Sequence, residues 1–150
     1  MTLARDLNCS NGIGLTIDAN NITIDLGGHT LTCTGGGNTC IQAGTFENDA
    51  LNNPTNITIE NGTIVSDGTA VEFFSTSTAS LVGVIVTGEG AACGISLSGS
   101  QNVRITNNTI SNCKSEIDQS NHVWVTGNTL IDSPVQQSDS QNVFINGNQG

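Results

Sequence analysis

The sequence predicts an all-β chain wound as a single-stranded parallel β-helix of about six coils, with three short strands in each. Three observations make that prediction: a recurring six-residue unit, a bend-prone residue at its third position, and alternating apolar residues on either side of the bend. The unit begins at Leu26, Ile59, Leu81, Ile105, Val125 and Ile145, with spacings of 33, 22, 24, 20 and 20 residues. Such a period marks a solenoid, in which each repeat buries its apolar side only by stacking on its neighbours. The third position holds Gly28, Asn61, Gly83, Asn107, Gly127 and Gly147. Glycine and asparagine both enter the left-handed backbone region at little cost, so the chain is expected to bend sharply there in every turn.

Within each repeat, an alternating stretch precedes the bend, as in Ile57-Thr58-Ile59, Val103-Arg104-Ile105, Val123-Trp124-Val125 and Val143-Phe144-Ile145. A second short stretch follows it, as in Thr63-Ile64-Val65 or Thr109-Ile110-Ser111. A third lies about ten residues ahead of each unit, visible as Val71-Glu72-Phe73, Ile95-Ser96-Leu97 and Ser115-Glu116-Ile117-Asp118. Period-two patterning in runs this short means strand, and no helical stretch separates them. The whole chain, 1–150, is expected to be one domain. The segment Thr45 to Pro54 explains the long 33-residue spacing and is expected to be a loop inserted into the second coil. Loops leaving a solenoid often build its binding edge, and Glu47 and Asp49 are candidates there for a cation site. A surface excursion without function fits the same residues.

The opening Asp6-Leu7-Asn8-Cys9, then Gly12 to Ile17, then Ile22 to Leu31 resemble the first coils of many members of the right-handed parallel β-helix superfamily, the pectate-lyase-like group. The resemblance runs from about residue 2 to residue 150. It implies a right-handed coil. It implies little about activity, because the group holds lyases, hydrolases, epimerases, adhesins and structural fibres.

Thirteen acids stand against three bases, Arg5, Arg104 and Lys114, for a net charge of −10. A surface this acidic repels phosphate backbones and anionic lipid, which argues against nucleic acid and against membrane insertion. No apolar run is long enough to span a bilayer as a helix, and the N-terminus has no basic stretch followed by an apolar one. The chain is therefore expected to be soluble and already processed. Regular Ile, Leu and Val positions argue against disorder.

Cysteines at 9, 33, 40, 93 and 113 point to an oxidising, extracellular or cell-surface setting. One full turn brings Cys93 near Cys113, and Cys9 stands in the same relation to Cys33, so these are the expected disulfides. Cys33 and Cys40 could instead close the Gly-rich loop Thr34 to Thr39. Asn-x-Ser/Thr triplets at Asn8, Asn21, Asn56, Asn61 and Asn107 are glycosylation acceptors in a suitable secreted context, although repetition alone produces them.

Once the aliphatic residues are placed inward, alternation gives the outward ones. On the strand ahead of each unit, Glu116 and Asp118 form the best carboxylate pair, with Glu72 on the same face. That pairing suits acid and base work on a glycoside, as in a polysaccharide lyase or glycoside hydrolase, or one calcium ion; no other cofactor is implied. The carboxylate motifs of the group's polygalacturonases are missing, and solvated charges on a strand wall are the plainer explanation. On the next strand, Arg104, Trp124 and Phe144 point outward, with Trp124 and Phe144 on adjacent rungs; Phe74 is a further outward aromatic. Exposed aromatic neighbours suit sugar stacking or a protein contact. The last strand presents Thr30, Thr32, Thr63, Thr87, Thr109, Ser111 and Thr129, interrupted by Val65, Ile85 and Ile131. Such a ladder can bind ice, and threonine also simply favours strands. His29 and His122 take turn positions.

The sixth unit stops at Gly150 where its third strand should begin, and Thr2-Leu3 looks like the start of that strand. Head-to-tail or lateral assembly with another copy, or continuation into a longer solenoid, follows as an expectation. The function expected is a structural or recognition module, directed to polysaccharide or to another copy of itself. An enzyme is the main alternative and ice binding the second.

Overall fold

The computed structural model describes residues 1–10, 12–36, 39–47, 50–89 and 94–150, with the backbone alone at 46, 47 and 50. The chain enters on β1 (Leu7–Cys9) and makes its first coil with β2 (Ile13–Ile17), β3 (Ile22–Asp25) and β4 (Thr30–Cys33). The second coil holds β5 (Thr39–Ala43), the short strands β6 (Thr45–Glu47) and β7 (Ala50–Asn52), and the long β8 (Thr55–Ser66). The third consists of β9 (Thr69–Phe74) and β10 (Ser77–Gly88). Then come β11 (Gly94–Ser98), β12 (Gln101–Thr106) and β13 (Thr109–Ser111), followed by β14 (Ser115–Asp118), β15 (Asn121–Thr126) and β16 (Thr129–Ile131). The last coil holds β17 (Val135–Ser138) and β18 (Gln141–Asn146).

Strands of successive coils pair in parallel and form a β-solenoid. Its first wall is the six-stranded sheet β2, β5, β9, β11, β14 and β17. Six rungs enclose five full turns, slightly fewer than the coil count read from the sequence. The second wall runs through β3, the first halves of β8 and β10, β12, β15 and β18. The third takes β1, β4, the second halves of β8 and β10, β13 and β16. In the second and third coils these two walls are one bent strand rather than two.

The core is a set of inward columns. Ile17, Ala43, Phe73, Leu97 and Ile117 stack along the first wall, and Ile24, Ile59, Leu81, Ile105 and Val125 along the second. Leu31, Ile64, Val86 and Ile110 complete the third. All are buried. Each large aliphatic or aromatic side chain so placed contributes about 1.5–3 kcal/mol relative to exposure, which only stacking on a neighbouring coil provides.

The six unit positions are all left-handed: φ is 76° at Gly28, 58° at Asn61, 63° at Gly83, 57° at Asn107, 67° at Gly127 and 63° at Gly147. Other corners use the same region. Asn102, His122 and Asn142 have φ of 55°, 54° and 52° between the first and second walls. Asn112 and Asp132 have φ of 55° and 48° between the third and first walls. The unit therefore marks one of several left-handed corners per coil.

Two features depart from the sequence reading. The segment 45–54 is not an open loop: β6 and β7 pair antiparallel as a hairpin, with Thr45 opposite Asn52. Asn52 Nδ2 ties it down by donating to the Asp18 carbonyl at 2.7 Å. Cys33 pairs with Cys40, not with Cys9. Cys9 does face Cys33 across the rungs, but the bonded Cys40 is the second residue of β5, across the corner from the end of β4, with its Cα 5.5 Å from that of Cys33. Cys93 and Asp49 lie outside the described residues, as does the side chain of Glu47.

Candidate functional site

The second wall carries an outer column of Ser80, Arg104, Trp124 and Phe144 on successive rungs. Alternation puts them outward because Val103, Val123, Ile105 and Val125 are held in the core on either side. The Arg104 guanidinium lies 4.7 Å from the centre of the Trp124 ring. Trp124 and Phe144 are stacked, with centroids 6.0 Å apart and planes 12° from parallel. Cation–π and aromatic contacts of this kind contribute roughly 0.5–1.5 kcal/mol each at exposed sites.

Arg104 and Phe144 approach Trp124 from opposite rungs, so both faces of its ring are covered. The ridge thus presents ring edges, N–H donors and the Phe144 ring, which is 47% exposed. A parallel column of Thr106, Thr126 and Asn146 runs along one side. His122 stands on the other, 6.3 Å from the Trp124 ring and tilted by 38°. The sequence marks His122 only as a turn residue; its spacing of two from Trp124 was the available signal for its place beside the ridge.

The first wall carries the carboxylates. Glu72, Ser96, Glu116 and Gln136 form one outer column, and Phe74, Ser98, Asp118 and Ser138 the next. Glu116 and Asp118 line a shallow cavity of about 320 Å³ with Gln136, Gln137 and Ser138. Lys114 forms an ion pair with Glu116, and Ser138 donates to Asp118 at 2.7 Å. Glu72 is half-buried, and that burial pushes its carboxyl above the usual range. It sits two rungs from Glu116, a backbone separation of about 9.6 Å that lies just beyond the carboxyl spacing of inverting glycosidases, about 6.5–9.5 Å. Phe74 shares this wall, so the structure separates it from Arg104, Trp124 and Phe144. Among the described residues, no three His, Cys, Asp or Glu side chains converge on a metal position.

Three aspartates, Asp6, Asp25 and Asp67, stabilise corners. Asp6 accepts from the Thr30 backbone at 2.9 Å and meets His29 Nδ1 at 3.3 Å, and the Thr30 N–H is the main reason its carboxyl is held below the ordinary value. Asp25 accepts from Gly27 N–H at 2.8 Å and from Asn61 Nδ2 at 3.0 Å, with the same effect. Asp67 accepts from Gly35 and Gly36 N–H at 2.6 and 3.1 Å, which clamps the Gly-rich loop above its disulfide. Cys113 is buried, and its N–H donates to Ser133 at 3.2 Å.

Comparison with known protein families, with curated proteins and with solved structures returns no match. Among the described residues, no helix is long and apolar enough to cross a membrane.

Proposed function

We propose that the solenoid is a recognition module, displayed outside the cell or on its surface, that binds a polysaccharide chain laid along the second wall. The observation that carries this reading is the pairing of two columns on three successive rungs: Arg104, Trp124 and Phe144 beside Thr106, Thr126 and Asn146. A sugar chain offers C–H patches and hydroxyls in alternation. The ridge offers apolar ring edges and guanidinium and indole N–H donors, and the neighbouring column offers hydroxyl and amide partners at the same rung spacing of about 4.8 Å. Rung repetition sets successive sugars against groups at one constant spacing.

Trp124 is the only tryptophan of the chain, so its emission reports on the ridge directly. A polysaccharide that binds here shifts that emission and retards the protein in an affinity gel, and Phe144→Ala weakens both effects. If no member of a broad polysaccharide panel does either, the reading fails. A protein surface, another copy of this chain included, is the second reading. Coverage of both Trp124 faces favours it, because protein contacts use ring edges as readily as faces. Sedimentation at rising concentration separates the two: self-association that Phe144→Ala abolishes supports the second.

A further inference from the structure

We propose that the third wall is a separate binding face, one that orders water and adsorbs the protein to the surface of ice. Its outward residues form two straight columns. Thr30, Thr63, Ile85, Thr109 and Thr129 make the first, in unbroken register from coil to coil. Asn8, Thr32, Val65, Thr87, Ser111 and Ile131 make the second. From Thr30 to Thr129 in the first column, and from Asn8 to Ile131 in the second, no position is charged, although the chain carries a net charge of −10; Asp6 places a carboxylate in line with the first column only at its end, where it accepts the Thr30 N–H. The other walls differ: the first exposes Glu116 and half-buried Glu72, and the second carries Glu60 and Arg104. Inside that end rung, the absence of charge is a property of this wall.

The array is regular in both directions. Neighbours within a column repeat at about 4.8 Å, and the columns stand about 6.8 Å apart, two residues along the strand. Threonine, valine and isoleucine have few rotamers, so their methyl and hydroxyl groups are fixed before any contact is made. Ile85 and Ile131 are 48% and 47% exposed, which places bare methyl groups among the hydroxyls. A rectangular net of this kind resembles the oxygen rows on a prism face of hexagonal ice: hydroxyls can join the rows while methyl groups fill the hollows between them. A charged side chain would organise water around itself and break the net.

On area alone this face is small for a protein partner, as the second wall is, and what sets it apart is its uncharged, regular net. Five rungs by one strand width give on the order of 300 Å², well below the roughly 800 Å² per partner of a stable protein interface. Binding to a crystal face depends on matching periods instead. This inference does not rest on the polysaccharide reading, which concerns another wall.

The test is thermal hysteresis and ice recrystallisation with the whole chain. The expected result is hysteresis with faceted crystals for the wild type, its loss in the double variant Thr63→Lys with Thr109→Lys, and its retention in Thr16→Lys on the first wall. Thermal unfolding of each variant confirms that it is folded. Should the lysine pair not fold, Thr63→Ser with Thr109→Ser keeps the hydroxyls, removes the methyl groups, and is expected to lose hysteresis too. A wild type that neither depresses freezing nor inhibits recrystallisation overturns the proposal, as does a folded double variant that matches it.

Discussion

The bend between the second and third walls is made differently in the two halves of the molecule. In the second and third coils, β8 and β10 run through it unbroken, and Gly62 pairs with Val84 across the rungs. In the fourth and fifth coils the strand divides in two, and Asn108 and Asn128 turn their side chains into the core, 2% and 1% exposed. Asn108 Oδ1 accepts the Val84 N–H at 2.9 Å, and Asn128 Oδ1 accepts the Asn108 N–H at 3.0 Å. Their Nδ2 groups donate to the carbonyls of Leu81 and Ile105, both at 2.9 Å. Asn148 extends the ladder, taking the Asn128 N–H at 3.0 Å. A side-chain amide thus supplies the donor and acceptor that the broken backbone pair would have used, as buried backbone groups require.

A second ladder serves another corner. Ser100, Ser120 and Ser140 hydroxyls accept the N–H groups of Thr76, Ser100 and Ser120 at 3.0, 3.1 and 3.0 Å. Thr76 carries that ladder into the third coil, its hydroxyl donating to the Ala43 carbonyl at 3.1 Å, so it is at the bend between the second and third walls that the early coils use other means. At Gly62 an added Cβ would stand 2.3 Å from the Leu26 Cβ and 2.7 Å from the His29 carbonyl, so that corner closes by direct packing. A disulfide and the Asp67 clamp hold the neighbouring Gly-rich loop. Regular 20-residue coils can repeat one polar device, whereas coils of unequal length need individual ones.

Four changes test this contrast, given from the largest effect to the smallest. Asn128→Ala strands the Asn108 N–H and the Ile105 carbonyl inside the core and should cost about 3–4 kcal/mol in urea unfolding. A loss under 1 kcal/mol, about that of one ordinary hydrogen bond, would show that the ladder is replaceable. Gly62→Asn, which writes the later device into an early coil, should cost about 3 kcal/mol by overpacking against Leu26; a neutral outcome would make the two bends interchangeable. Replacing both Cys33 and Cys40 by alanine opens a cross-link of sequence separation 7 and should lower stability by about 2 kcal/mol, with the later coils keeping their protection in hydrogen exchange.

The smallest effect is in pH. Asp6 and Asp25 have carboxyls lowered by folding, so their contribution is present above the unfolded value and disappears as pH falls through the folded one. Glu72 runs the other way. Its raised carboxyl favours the folded state when protonated, so stability falls as pH rises from its unfolded value through its folded one. Glu72→Gln should flatten that weakly acidic limb and raise the urea midpoint at neutral pH. An unchanged profile would mean that its half-burial carries no penalty.

Much of this is legible in the residues. Alternation around Val103-Arg104-Ile105 and Val123-Trp124-Val125 is a local property, and it gives both the walls and the outward direction of Arg104 and Trp124. The inward asparagines are not legible, although Asn108, Asn128 and Asn148 recur every 20 residues, because asparagine beside a left-handed turn looks like a turn residue. The hairpin at 45–54 is hidden by the want of alternation in so short a run. Cys9 and Cys40 were both reasonable partners for Cys33, and the path of the corner decides between them.

By itself the sequence determined the coil, its three walls, and the side to which the alternating strand residues turn, because backbone conformation and alternation depend on near neighbours along the chain. Only the tertiary structure decided that Arg104 covers one face of Trp124 and Phe144 the other, that asparagine amides replace backbone pairs inside the later coils, and that Cys33 bonds to Cys40. Those contacts join residues on different rungs or across a corner, and the register that brings them together is set by the closure of whole coils.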